Sequence, residues 1–585
     1  MPTPSPSPND SSDQTPASEN PSTGVARGSW LDVLERLGNK LPEPALLFAI
    51  LAALVVMVSA IGSAAGWEVQ PVEPKVTLVP ALDASGTPIL HADGTPKLTP
   101  KLGDDGKPHV ELVNKGEPIA PRSLLTREGA YWMFSSMLRN FTGLPALGLI
   151  FVAMLGIGLA EKFGFFSALM RWLAIATPRR LLTPMIVLLG ANSSVASDAG
   201  YIILPPLAAA LYLAMGRPPI AGLAAAFCGV AGGFGGGFFP TGGDGFLAGV
   251  ATSAAHIIDP DYTVNATHNI YFKAGSALVV TLAGWFVTDR IVEPRLRRAG
   301  DTAEGAASHD TSAVTDLSLN ATEKKALALA MVVMTLVLGV FAALILIPGA
   351  PLHGTGTPLL ATGQPAPGER PGDRWSQVIV PIIFFAFLLP GMAYGWLTGG
   401  LRSQRDFMDG IYHGIRTIIP VLAIAFFMGQ FVNYFTYTGL DKMLAYTGGS
   451  LLVKADLPAP LLIVLFVVLV IAGDFCISGM LSKFGVLCPI FVPMFMMVGI
   501  SPELTTAAYR IGDSVVNIIT PLNSYLLIIL VVLQKYKPKA GLGSLISLML
   551  PYSVVLGILW TAFLLLWYFT GADLGPKSPL HYTPG

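Results

Sequence analysis

Long apolar runs without a single charged residue constrain this chain more than anything else in it. Residues 45–67 form such a run of 23 residues. As a helix rising about 1.5 Å per residue it is some 35 Å long, enough to cross a hydrocarbon core of about 30 Å. Uncharged runs at 141–160, 326–347, 376–396, 417–440 and 541–570 are also long enough, and 271–288 crosses if Lys273 snorkels to the surface. Composition agrees: 52% of residues are hydrophobic and 12% charged, against about 25% charged in an ordinary soluble domain. The expected fold is an all-α integral membrane protein whose first partner is the lipid bilayer. With 36 basic and 37 acidic residues the formal net charge is -1, which excludes the basic signature of a nucleic-acid binder. The three cysteines, Cys228, Cys476 and Cys488, are odd in number, lie in apolar stretches and read as packing residues rather than a disulfide framework.

Residues 1–29 are rich in Pro, Ser, Thr and Asn and read as a disordered cytoplasmic tail, with no basic start leading directly into an apolar core as a signal peptide requires. A transporter domain is expected over 30–575, with 576–585 as a short tail. Between Glu68 and Thr126, turn signals separate Val/Leu pieces, so this segment reads as a small, partly β excursion outside the membrane.

Four segments do not fit simple crossings. Residues 181–197 and 199–215 are separated by Asp198, which Asn192-Ser193-Ser194 precedes, a pattern suited to a re-entrant hairpin with a polar tip. Residues 461–473 and 484–499 repeat it around Asp474, Ser478 and Lys483. Each hairpin is followed by a broken helix. Residues 219–258 are interrupted by the glycines 232–233 and 235–237, and residues 502–534 by Gly512-Asp513-Ser514 and Thr520-Pro521. A shift of 283 positions superimposes Leu204, Pro206, Gly216, Pro219, Ala224, Ala225 and Gly229 on Leu487, Pro489, Gly499, Pro502, Ala507, Ala508 and Gly512. Seven identities in 26 ungapped positions exceed the two or three that composition bias supplies.

Lys and Arg in short loops (Arg27, Arg36, Lys40; Arg290 to Arg298; Arg402 and Arg405; Lys535 to Lys539) put the N-terminus in the cytoplasm and the C-terminus outside. The reading is nine crossings plus two hairpins in two inverted repeats, with residues 163–176 lying at the interface. Such repeats bring two polar tips and two unwound helices together near the midplane, which is carrier architecture. Ionisable groups at that depth cost about 2.5 to 3.5 kcal/mol each, so Asp198, Asp244, Asp474, Lys483, Arg510 and Asp513 need partners or water. Arg510 and Asp513, three apart on a helix, either neutralise each other or serve a substrate carboxylate and a coupling ion. Asn192, Ser193 and Ser194, with Ser478, Ser482, Ser514 and Asn517, offer hard oxygens for a cation such as sodium, or plain hairpin caps. His256, His268 and His413 lack metal-ligand spacing. No His accompanies Ser193 or Ser478 as a base, which argues against an intramembrane protease, and two hairpins over a midplane site suit alternating access better than a pore.

The chain also resembles the AbgT family of p-aminobenzoyl-glutamate transporters from about residue 30 to 575. Ala196-Ser197-Asp198-Ala199-Gly200-Tyr201, Ile291-Val292-Glu293-Pro294-Arg295-Leu296, and above all Ala507-Ala508-Tyr509-Arg510-Ile511-Gly512-Asp513-Ser514 with Asn517-Ile518-Ile519-Thr520-Pro521-Leu522 carry the resemblance. It implies a homodimeric carrier in a bacterial inner membrane, similar in fold to the divalent-anion sodium symporters, without a cofactor and driven by sodium or protons. The substrate implied is an anionic aromatic small molecule, p-aminobenzoyl-glutamate or a sulfonamide-type relative, with a different dicarboxylate as the alternative cargo. The family's transport residues correspond to Asp198, Pro502, Arg510, Asp513 and Pro521, and Lys483 and Phe484 fall in its second tip. There the family's Ser-Ala-Lys-Trp stands as Leu481-Ser482-Lys483-Phe484, its Phe-Ile-Asn as Ala472-Gly473-Asp474, and at the first tip its Ser-Asn as Ser193-Ser194.

Overall fold

The computed structural model describes residues 43–583 apart from 77, 81–97, 101–109, 115, 197–198, 302–318, 358, 360–361, 365–371, 478 and 524. Asp198, Ser478 and the 1–29 segment therefore lie outside the described residues. Helix α1 (Pro44–Ala64) opens on Pro44, whose missing N–H is no loss in a first turn. Two antiparallel ladders follow, Val72–Val76 with Val110–Asn114 and Leu78–Pro80 with Leu98–Pro100, so the 68–126 segment contains the strands expected of it. Then come α2 (Arg127–Thr142), α3 (Pro145–Lys162) and α4 (Phe165–Ala176), the last bent by 119° from the segment after it.

The first hairpin is α5 (Leu182–Asn192) and α6 (Ala199–Ala214). The first broken helix is α7 (Pro219–Phe227), continued by a π turn at Cys228–Gly232, and α8 (Gly242–Ala255). Helix α9 (Ile270–Val287) leads into α10 (Glu293–Arg298). Next are α11 (Ala321–Leu346), α12 (Ile379–Thr398), α13 (Gln404–Thr438) and α14 (Leu440–Ala455). The second hairpin is α15 (Ala459–Asp474) and α16 (Met480–Met496), and the second broken helix is α17 (Pro502–Val516) and α18 (Tyr525–Tyr536). Helix α19 (Leu542–Thr570) ends the series. Among the described residues, seven helical stretches are long and apolar enough to cross a membrane, and each uncharged run above overlaps one of them over most of its length.

The repeat is visible element by element. Helices α7 and α17 begin at Pro219 and Pro502, and α8 and α18 at Gly242 and Tyr525, both pairs 283 positions apart. The turns that precede α7 and α17 sit at opposite ends of α9, which is about 27 Å long at ~1.5 Å per residue. Arg217 ion-pairs with Asp289 at 2.6 Å and Glu293 at 2.5 Å, just past the C-terminal end of α9. Ser501 Oγ donates to the Pro579 carbonyl at 2.6 Å, and the chain beside it caps the other end, where the Tyr271 and Phe272 N–H groups donate to Leu574 O at 3.0 and 3.1 Å.

Four expectations change. Helix α17 is unbroken through Gly512-Asp513-Ser514 and stops at Val516; the described interruption lies at 517–523, around Thr520 and Pro521. Gly512 is needed for contact instead: a Cβ there would lie 2.7 Å from Val470 Cβ and 2.8 Å from Val467 O, so α15 rides directly on the α17 backbone. Lys273 does not snorkel, because a buried carboxylate holds it in place. Residues 576–583 are not a loose tail, since Leu580 and Tyr582 are buried. Cys476 is exposed at the second tip rather than packed.

Close backbone approach also joins α5 to the π turn: a Cβ on Gly190 would lie 2.7 Å from Gly229 Cα and Val230 N. Gly190→Val is expected to cost about 1 to 3 kcal/mol through overpacking and to lower the melting temperature of the detergent-solubilised protein. Gly557→Ala, whose Cβ meets nothing within 4 Å, is the control expected to melt at or above the wild-type temperature.

Candidate functional site

Helix α17 carries the chemistry, and every one of its residues is buried, Arg510 and Asp513 included. Charges so placed require partners from other helices. Arg510 finds Asp244: Nη2 is 2.5 Å from Asp244 Oδ1, and Nε donates to Asn269 Oδ1 at 3.1 Å. Asp244 Oδ2 accepts from Lys273 Nζ at 2.6 Å, and Lys273 Nζ also donates to Phe239 O at 3.2 Å. Asp244 is held by its own helix start, where the Thr241 N–H donates to Oδ2 at 2.7 Å in a capping box at the head of α8. Two cations thus share one carboxylate, a formal surplus of +1; Arg510 lines the cavity, and among the described residues its guanidinium is bonded through Nε and Nη2 and not through Nη1.

Asp513 finds Lys483, whose Nζ lies 2.9 Å from Asp513 Oδ1 and is also bonded to Asp474 Oδ1. Asn517 Nδ2 donates to Asp513 Oδ2 at 3.4 Å, and Tyr509 OH, 3.3 Å from Asp513 Oδ1, donates to Met480 O at 2.5 Å. This second triad has two carboxylates on one ammonium, a formal surplus of -1. The local pairing of Arg510 with Asp513 does not occur: each turns to a different partner brought in by tertiary packing.

Both triads border a cavity of about 710 Å³. Arg510, Asp474, Asn517 and Thr520 are among its polar positions, with Glu43, Ser194 and Asn523, and Ile150, Met154, Phe234, Tyr201 and Tyr525 form much of its apolar and aromatic wall. Tyr201 and Tyr525 stack with ring centroids 4.1 Å apart, joining the first hairpin to the second broken helix.

The other expected site residues take varied places. Ser194 lines the cavity, while Ser193 is buried with Oγ donating to Gly190 O at 2.7 Å. Asn192 Oδ1 accepts the Phe238 N–H at 2.8 Å, and Ser514 Oγ accepts the Gly235 N–H at 2.8 Å, so both hold the glycine-rich break. A Cβ on Gly235 would lie 2.8 Å from Arg510 O, which is why glycine stands where the two broken helices meet. Phe484 is buried against Tyr509, ring centroids 4.8 Å apart, and supports the second triad from behind. Pro502 opens α17 and Pro521 lies in its interruption. Among the described residues no group of three or more His, Cys, Asp or Glu side chains is placed to hold a metal ion. Sequence reasoning took Lys273 for a snorkelling residue and Tyr509 only as part of the motif, passed over Asn269, and left Asp244 in need of a partner without naming one. A lysine inside an apolar run and an aspartate three residues after Thr241 were the available signals.

Helical spans enclosing a cavity bounded by two hairpins and two interrupted helices define a membrane carrier. The chain belongs to the AbgT putative transporter family, whose sequence profile matches residues 29–582. It is 31% identical over 546 residues to the p-aminobenzoyl-glutamate transport protein of Escherichia coli (strain K12), covering 93% of this chain and 95% of that one. Two solved structures are similar. The Neisseria gonorrhoeae MtrF structure, described as illuminating a class of antimetabolite efflux pumps, superimposes with a TM-score of 0.77 at 36% identity over 94% of this chain and 100% of its own. The Alcanivorax borkumensis YdaH transporter, described as having an unusual topology, gives 0.75 at 33% identity over 92% and 100%.

Removing the shared carboxylate tests the first triad. Asp244→Asn leaves two buried cations facing each other and is expected to destabilise the protein by about 3 to 5 kcal/mol, read as a lowered melting temperature. Adding Lys273→Met is expected to recover most of that loss, since Arg510 then faces a neutral site; a double variant no more stable than the single one would show that charge is not the cause.

Proposed function

We propose that the protein is a secondary active transporter of p-aminobenzoyl-glutamate or a closely related aromatic anion of the p-aminobenzoate or sulfonamide class, coupled to a cation gradient. One observation carries this reading: a buried triad of surplus positive charge presents Arg510 to a cavity that is otherwise largely apolar and aromatic. A carboxylate at Nη1 would neutralise the surplus through a charge-assisted bond, and the aromatic ring would lie along the apolar wall. The cavity volume falls within the 300–1,000 Å³ usual for small-molecule sites. The name of the Escherichia coli relative supports the cargo, and the description of the Neisseria gonorrhoeae structure supports efflux as the second direction of transport.

In this reading the carrier works as a homodimer in a bacterial inner membrane, with nine crossings and two hairpins, N-terminus in the cytoplasm and C-terminus in the periplasm. The equivalent turns at opposite ends of α9 support inverted repeats. With the N-terminus inside, the cavity, which reaches Glu43 and Pro44 at the start of α1, opens inward.

Binding of labelled p-aminobenzoyl-glutamate, a sulfonamide and succinate to the purified protein, followed by uptake and efflux in proteoliposomes, tests the cargo. Arg510→Lys keeps the charge but loses the planar guanidinium, and is expected to weaken binding by roughly 1 to 3 kcal/mol, about 5- to 150-fold in Kd. Wild-type affinity in that variant, or preference for succinate over both aromatic ligands, would overturn the reading.

A further inference from the structure

Asp474 has one oxygen that no described residue satisfies. Its Oδ1 is bonded to Lys483 Nζ, but among the described residues Oδ2 has no hydrogen-bond partner although the residue is only 1% exposed. The residue lines the cavity at the end of α15, where its backbone carbonyl accepts a bond from Thr520 Oγ1 at 3.2 Å. The charged and titratable groups facing it are Lys483 from α16 and Asp513 and Tyr509 from α17; Arg510 borders the same cavity but is held by Asp244. Lys483 compensates only one of the two carboxylates, so the triad is short of one positive charge at a depth where an unmatched charge is costly.

We propose that Asp474 Oδ2 is a proton-binding site and the seat of the proton that couples to transport, an inference that rests on the carrier reading above and names its coupling ion. A proton from the cavity forms an O–H bond on Oδ2, and the triad passes from a formal charge of -1 to zero. No other covalent bond is made or broken, and the ionic contact between Asp474 and Lys483 is the interaction that weakens. A metal cation fits less well, because it needs several oxygens around it and would share its carboxylate with the Lys483 ammonium. Protonation also changes which contacts hold the hairpin. With Asp474 neutral, Lys483 remains paired with Asp513 alone and the end of α15 is released from α16; with Asp474 ionised the two arms are clamped together. Loss and gain of one proton thus alternate a clamped and a released second tip beside the cavity, while the surplus positive triad across the cavity takes the anion.

Infrared difference spectra of the purified, substrate-free protein on a pH change test the site without requiring transport. As the pH is lowered the wild type is expected to show, beyond the bands of its other carboxyls, a C=O component of a buried protonated carboxyl that is missing from the Asp474→Asn spectrum. Asp513→Asn, in which Lys483 exactly matches the remaining carboxylate, is expected to lack it too; persistence there would mean that surplus charge is not the cause and would overturn the proposal. So would a wild-type band that disappears on adding sodium at fixed pH, which would assign the site to a metal ion. In proteoliposomes Asp474→Asn, which resembles the protonated state, is expected to retain exchange of internal for external substrate and to lose accumulation driven by a proton gradient. Proton-driven accumulation at the wild-type level in that variant would also overturn it. If no substrate moves in the wild type either, the carrier reading fails, and the infrared result still decides whether Asp474 binds a proton.

Discussion

The structure depends on charges that have been buried on one helix and compensated by others. Helix α17 has no exposed face, yet it carries Arg510 and Asp513 one turn apart. Burying an unpaired ion costs several kcal/mol, so α17 is stable only where Asp244 and Lys273 reach it from one side and Lys483 and Asp474 from the other. Those partners sit on α8, α9, α15 and α16. The requirement to pair two charges therefore fixes both broken helices, one crossing helix and the second hairpin relative to each other. Neither triad is neutral, and their surpluses are opposite in sign. That asymmetry is weak as a source of stability and apt as a place for an anion and a cation to enter together.

Close packing lets the charges meet. Gly235 brings the first break against the Arg510 carbonyl and lends its N–H to Ser514, and Gly512 lets α15 lie on the α17 backbone beside Asp513. These glycines act through the absence of a Cβ rather than through unusual backbone angles. At the far ends of α9, Arg217 with Asp289 and Glu293, and Ser501 with Pro579, tie the two equivalent turns to the same helix. A movement of either hairpin is thus referred to α9, which also carries Lys273.

Much of this architecture was legible in the sequence because the membrane imposes length and charge rules on each segment separately. The uncharged runs, the polar tips and the 283-residue shift each needed only local reading, and the starts of α7, α8, α17 and α18 follow that shift. The break in the second broken helix was legible at Pro521 but not at Gly512, because glycine marks close approach as readily as interruption and the partner, Val470, lies on another helix. Charge partners were the least legible. Arg510 and Asp513 are three apart on one helix and suggest each other, whereas the partner Arg510 takes is 266 residues away. Nothing in a single sequence ranks a long-range pair above a local one, and Lys273 in its apolar run was as compatible with snorkelling, the reading taken, as with the buried carboxylate it meets.

The central claim is that the surplus positive triad receives the substrate's carboxylate while the surplus negative triad stays free of it. A structure of the protein with p-aminobenzoyl-glutamate bound, determined by electron cryo-microscopy, tests this most directly. The account predicts a carboxylate oxygen within hydrogen-bond distance of Arg510 Nη1, the aromatic ring along the Phe234, Tyr201 and Tyr525 wall, and no ligand oxygen against Asp474 or Asp513. Ligand density seated away from Arg510, with the Arg510–Asp244 pair untouched, would contradict it.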